Sequence, residues 1–250
     1  MVMAPYLQCP LPMKLTKVVA IVSLVLGALG CAGAGESDTS TSSVQGNAVS
    51  SVNGLNSING LNSINGLSSS LGLMTSDAGR MTVSYLARCA LSSSQTLTKQ
   101  DQNGVTYSFP GQIGLAPQWL AGSCDANCQE WVTACMLAHV NTSGVHIPLW
   151  LDGANPALGY GKSNSFPYQE GAFFGNIFVS PPKAYYCAGW NATTSSVAGR
   201  IGAGQTGGAP YTAMGAFCGT TCSPVGPTGE AYGNCGGGAW KNVITTFRQP

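Results

Sequence analysis

Eight cysteines, Cys89, Cys124, Cys128, Cys135, Cys187, Cys218, Cys222 and Cys235, limit the folds open to this chain more than any other feature. An even set of thiols that meets an oxidising compartment closes as disulfides, and four bridges allow on the order of 100 pairings. The first four cysteines fall in one half of the region that holds them and the last four in the other, so each half can close on itself. One bridge has a local argument: Cys89 and Cys135 lie on apolar faces of predicted helices, and joining them would staple those helices together. The CxxxC spacings Cys124-Asp-Ala-Asn-Cys128 and Cys218-Gly-Thr-Thr-Cys222, with His139 one helical turn after Cys135, also permit a zinc or copper set of Cys124, Cys128, Cys135 and His139. Structural zinc sites favour CxxC spacing, and the cysteines already balance as four pairs. Neither a metal nor a cofactor is therefore expected.

The compartment is set by residues 13–31, Met13-Lys-Leu-Thr-Lys-Val-Val-Ala-Ile-Val-Ser-Leu-Val-Leu-Gly-Ala-Leu-Gly-Cys31. Lys14 and Lys17 precede an apolar run of about a dozen residues, whereas a membrane-spanning helix needs roughly 20. A short apolar run behind positive charge is the core of an export signal, removed on secretion. The run closes on Ala28-Leu29-Gly30-Cys31, and here the segment resembles the signal of a bacterial lipoprotein, with Ala28 where that family most often has Leu. The resemblance covers residues 13–31 alone. It implies that Cys31 becomes a lipid-carrying N-terminus and that the membrane is a partner through that anchor. Because Ala32 rather than Asp follows, it also implies residence in the outer membrane. Three acyl chains would bury far more methylene groups than the single chain that binds only marginally. Met13-Lys14 also reads as a natural start, so residues 1–12 are expected to be an artefact of an upstream start site.

Residues 32–70 contain no aromatic, cysteine or basic residue and are dense in Gly, Ser, Thr and Asn, the composition of a tether. Within them Asn53-Gly-Leu-Asn-Ser-Ile58 repeats as Asn59-Gly-Leu-Asn-Ser-Ile64, placing an apolar residue at every third position. That period matches neither helix nor strand, and so few repeats cannot stack into a solenoid. A linker is the reading that remains. Residues 71–250 are the globular domain.

Charged residues make up only 8% of the chain, and eight Lys and Arg oppose nine Asp and Glu from Cys31 onward. This balance gives no electrostatic footprint for nucleic acid and no steering of ionic substrates. Within the domain, Thr75 or Ser76 can cap a helix over 77–91, and Ser123 or Asp125 a second over 125–140. In the second, Cys128, Trp131, Val132 and Cys135 share one face, which is expected to be core. Between the helices, Asp101-Gln-Asn-Gly104 reads as a hairpin turn joining strands over 95–98 and 105–109. Short helical character is expected near 116–120. Beyond 144 the pattern turns to short β-like runs at 145–151, 172–179, 184–188 and 242–247. Two helices and a hairpin followed by a mostly antiparallel β-rich region is an α+β fold, stapled by disulfides.

Catalytic signals are sparse. Only His139 and His146 are present, and no nucleophile elbow, zinc-protease or phosphate-loop motif occurs. Asp152, after Leu149-Trp150-Leu151, and Glu170, opening the run 170–178, are the best acid pair. Two carboxylates near Tyr160, Tyr168, Trp150 and Trp190 are the parts of a glycosidase. Most acids in such a chain cap turns instead, and the same aromatics can bind a glycan or envelope protein without catalysis. Trp190, in Ala-Gly-Trp-Asn, is the best exposed candidate, with Tyr160 and Tyr168 as further ligand-binding candidates. The reading is therefore an anchored binding or structural protein of the envelope, with a carboxylate-based glycoside hydrolase as the alternative.

Overall fold

A computed structural model describes residues 43–44, 49–50, 72–141, 147–161, 163–191, 212–214 and 217–250. The export signal, Cys31, the six-residue repeat and His146 lie outside the described residues. Strand β1 is Ser43–Val44 and β2 is Val49–Ser50. Both come from the stretch expected to be a tether.

Helix α1 spans Asp77–Ala90. It starts where Ser76 accepts a hydrogen bond from the Gly79 amide at 3.1 Å, and Asp77 places negative charge in its first turn. A 3-10 turn, Gly72–Thr75, folds back against that start. Gly79 permits the approach, since a Cβ there would sit 2.0 Å from the Leu73 carbonyl oxygen. The hairpin of β3, Thr96–Gln100, and β4, Thr106–Pro110, turns where Asp101 accepts from the amides of Asn103 and Val105 at 2.8 and 2.9 Å.

Helix α2, Ala126–His139, is capped by Asp125, which accepts from the Cys128 amide at 2.8 Å. The sequence assigns it one core face, but Trp131 through His139 are all buried. It lies between α1 and the sheet, so its outer face meets α1 instead of water. From Trp131 onward the helix is apolar on nearly all sides, which fits that position, while Asn127, Gln129 and Glu130 keep its start near the surface. Its polar Thr133 is satisfied by accepting from the Ile177 amide at 3.1 Å.

The main sheet contains β6, Leu149–Asp152, β7, Tyr168–Asn176, β8, Lys183–Ala188, and β12, Ile244–Arg248. The C-terminal strand β12 inserts between β6 and β7, and all these pairings are antiparallel. At the edges β1 pairs antiparallel with β6, and β9, Thr212–Ala213, runs parallel to β8. Separately, β2 pairs with β5, Val140–Asn141, the residues that follow α2.

Alternation along the strands gives the sheet two apolar faces. Leu149, Leu151, Phe173, Tyr186 and Ile244 pack toward the helices. Ala172, Phe174 and Val243 join Cys187, Cys218, Cys222 and Cys235 in a second core. That core is covered by the one-turn helix α3, Cys218–Thr221, by the left-handed glycine turn α4, Cys235–Gly238, in which Gly236 and Gly237 have φ of +61° and +69°, and by the hairpin of β10, Ser223–Val225, with β11, Ala231–Gly233. The result is a mixed α+β, β-rich fold.

Its four bridges are Cys89–Cys135, which joins α1 to α2 as its apolar setting predicts, and Cys124–Cys128, Cys187–Cys218 and Cys222–Cys235. Each half of the cysteine set closes on itself. Three of the four residues in the metal-ligand alternative therefore hold their sulfurs in disulfides. Their neighbour His139 directs Nδ1 to the Cys135 carbonyl oxygen at 2.8 Å.

Candidate functional site

The first residues of β7 and the turn that ends β8 lie side by side, and Gln169 ties them together. Its amide donates to Asn191 Oδ1 at 3.0 Å, and its carbonyl accepts from the Asn191 amide at 3.1 Å. Its side-chain oxygen accepts from the Trp190 amide at 2.9 Å and from the Tyr232 hydroxyl at 3.2 Å. Its Nε2 donates to the Glu230 carbonyl. The Gly189 amide adds a bond to the Glu170 carbonyl at 2.9 Å.

On this fixed backbone the Trp190 side chain is 82% exposed, the most exposed of the large apolar residues described. A single exposed apolar residue is ordinary on a protein surface. The network beneath this one sets it apart: the backbone that presents the indole is already ordered, so a flat ligand face stacking on it costs less ordering entropy.

Tyr160 borders the same hairpin from another side. It is 37% exposed, and its ring packs where a Cβ on Gly226 would come within 3.0 Å of it. Gly226 has φ +84°, a conformation that suits glycine and leaves its face open to the ring. Partial burial, and then the nearby Asp152 charge, push the Tyr160 phenol above its usual range. It stays protonated and can donate a hydrogen bond at neutral pH. Residues 226 to 230 form the turn between β10 and β11, so one hairpin carries the Tyr160 contact at Gly226 and the Gln169 contact at Glu230. Tyr168 is half-buried, paired across the sheet with Arg248, in the residue before Gln169.

The two carboxylates sit differently. Asp152 ends β6 as its sequence context predicts, and is 3% exposed. It accepts from Trp150 Nε1 at 2.9 Å and from the Gly161 amide at 3.3 Å. Glu170 does not open a strand: β7 begins at Tyr168, and Glu170 is its third residue, fully buried, accepting from the Thr246 hydroxyl at 2.8 Å. The ladder shifts register between Thr246 and Phe247, opposite Glu170, which explains how a polar side chain is accommodated within the strand. Strand β12 lies between the two acids, so their backbones are separated by two inter-strand spacings, about 10 Å. Each carboxylate is engaged by hydrogen bonds from within the protein.

An open groove of about 320 Å³ lies on α1 and β4, lined by Asp77, Arg80, Met81, Ser84, Tyr85, Arg88 and Tyr107. None of the residues singled out from the sequence lines it. Within it Arg80 pairs with Asp77, donates to the Met74 carbonyl at 2.9 Å and lies over the Tyr107 ring at 4.9 Å. These contacts fasten the start of the helix to the hairpin.

Gln169, Tyr232 and Glu230 carry no local signal in the sequence. The partners of Gln169 stand 21 to 63 residues away along the chain, and no local pattern announces them. No protein-family model, no curated protein and no solved structure matches this chain.

Proposed function

We propose that this chain is an exported lipoprotein, anchored in the outer membrane through Cys31, whose disulfide-stapled domain binds a glycan of the cell envelope. The observation that carries the binding reading is Trp190: an indole 82% exposed on a backbone fixed by the Gln169 hydrogen bonds. Tyr160, at the other end of the 226–230 turn, supplies a second aromatic surface and a hydroxyl donor. Sugar rings present apolar C–H faces and hydroxyl edges, and this combination of aromatic face and polar rim suits both. The anchor reading rests on residues 13–31. No helix among the described residues is long and apolar enough to cross a membrane.

Hydrolysis by Asp152 and Glu170 has less support. A glycosidase pair flanks the scissile bond in a cleft, whereas these acids are buried on strands parted by β12. Binding without turnover needs neither of them. The experiment is retention of the purified chain on insoluble envelope and plant polysaccharides, with Trp190→Ala as the paired variant. The proposal expects retention by wild type on at least one polymer and loss in the variant. Equal retention of both proteins would refute the assignment to Trp190.

A further inference from the structure

The second core holds two disulfides close enough to exchange. The sulfurs of Cys187 and Cys222 belong to different bridges, Cys187–Cys218 and Cys222–Cys235, yet lie 3.7 Å apart, in van der Waals contact. Cys218 and Cys222 are the two ends of one helical turn, joined by the Cys222 amide donating to the Cys218 carbonyl at 2.7 Å. Changing the partner of Cys187 from Cys218 to Cys222 therefore moves the attachment of α3 from one end of that turn to the other. We infer that these four cysteines form a thiol–disulfide exchange switch that controls the Trp190 platform, an inference that rests on the glycan-binding reading above.

Cys222 retains 8% exposure while the other three are fully buried, so an external dithiol reaches the Cys222–Cys235 bridge first. That dithiol supplies two electrons, becomes a disulfide itself and leaves Cys222 and Cys235 as thiols. Cys222, deprotonated, then attacks the Cys187 sulfur. The Cys187–Cys222 bond forms, the Cys187–Cys218 bond breaks, and its electron pair leaves on Cys218, which takes up the proton that Cys222 lost. As a thiol Cys218 has an acceptor at hand, the Cys187 carbonyl oxygen 2.9 Å from its sulfur. The product holds one bridge and two thiols, at Cys218 and Cys235.

The platform receives this change by two routes. Cys187 lies in β8, three residues before Trp190. The Cys222–Cys235 bridge closes the hairpin of β10 and β11, whose Glu230 and Tyr232 hold Gln169. Once that bridge opens, the hairpin loses its covalent closure and the Gln169 bonds lose part of their support.

The test treats the full native chain with one molar equivalent of dithiothreitol at pH 8, quenches in acid, alkylates free thiols and maps the peptides. The switch predicts a Cys187–Cys222 link with alkylation at Cys218 and Cys235, and amide hydrogen exchange at Trp190 and Asn191 at least tenfold faster than in the oxidised chain. Alkylation confined to Cys222 and Cys235, with Cys187–Cys218 intact, would overturn the exchange, and unchanged amide exchange would overturn the control of the platform. Because the thiolate is the nucleophile, exchange should slow as the pH is lowered. Cys235→Ala gives a second arm without reductant: the free thiol should partition between Cys218 and Cys222, and labelling of Cys222 alone refutes the exchange. None of these readouts uses a glycan, so failure of the oxidised chain to bind any sugar counts against the binding reading and leaves the exchange result intact.

Discussion

Removing the bridges one at a time should destabilise the domain in the order of the loops they close. Cross-linking lowers the entropy of the unfolded chain by an amount that grows with the logarithm of loop length. For sequence separations of 46, 31, 13 and 4, that relation gives about 4.0 kcal/mol for Cys89–Cys135, ~3.7 for Cys187–Cys218, ~2.9 for Cys222–Cys235 and ~1.9 for Cys124–Cys128. Paired Cys→Ala variants also leave small cavities. Cys89, Cys135, Cys124 and Cys128 are all at most 3% exposed, so that cost is similar in the longest and shortest loops and largely cancels between them. The assay is urea unfolding. With a slope of about 2 kcal/mol/M, Cys89→Ala with Cys135→Ala should lower the midpoint by on the order of 2 M, and Cys124→Ala with Cys128→Ala by about half as much. Equal midpoints for these two variants, with unchanged slopes, would refute the loop-entropy argument.

Replacing Cys31 with Ala should move the protein from the membrane fraction to the soluble fraction; unchanged partitioning on fractionation would sink the anchor. Glu170→Gln should keep an acceptor for the Thr246 hydroxyl and cost under ~1 kcal/mol, while Glu170→Ala removes that partner and opens a cavity, costing about 2–3 kcal/mol in the same unfolding assay. Gly171→Ala should cost about 1–3 kcal/mol, because its Cβ would meet the Tyr186 ring at 2.5 Å and the Cys187 carbonyl oxygen at 2.6 Å; a neutral melting temperature would show that β7 and β8 separate freely. Asp101 is held below the usual carboxylate range: desolvation opposes this, but the Val105 and Asn103 amides, the Tyr107 hydroxyl and the Arg80 charge outweigh it. Its stabilisation is thus fully present above the unfolded value of about 3.9 and is lost as pH falls through the lower folded value, so Asp101→Asn should flatten the acid limb of a stability-versus-pH curve.

The parts of the fold legible in the sequence are those fixed by neighbours along the chain. Ser76 and Asp125 announce their helices because a cap is read within three residues, and Asp101-Gln-Asn-Gly104 announces its hairpin for the same reason. The Cys89–Cys135 bridge is legible because two apolar helix faces must meet somewhere. The insertion of β12 between β6 and β7 is not legible, since nothing local distinguishes a central strand from an edge strand in so short a run. Nor is the all-round burial of α2 from Trp131 onward, which follows from α1 covering the face that an isolated amphipathic helix would give to water. At the site, Trp190 stands out by its Gly and Asn neighbours, while Gln169 has no local mark. Asp152 and Glu170 are conspicuous as acids, but their burial depends on long-range pairing that sequence spacing does not reveal.

The most direct test of the binding account is equilibrium titration of the oxidised wild-type and Trp190→Ala chains with an oligosaccharide from the retaining polymer, recording release of reducing ends in the same samples. An aromatic anchor of this kind contributes about 2 kcal/mol, so the account predicts roughly 30-fold weaker binding in the variant, an unchanged melting temperature and no reducing ends from either protein. Affinity unchanged by Trp190→Ala, or reducing ends released by wild type and abolished by Glu170→Gln or Asp152→Asn, would contradict it.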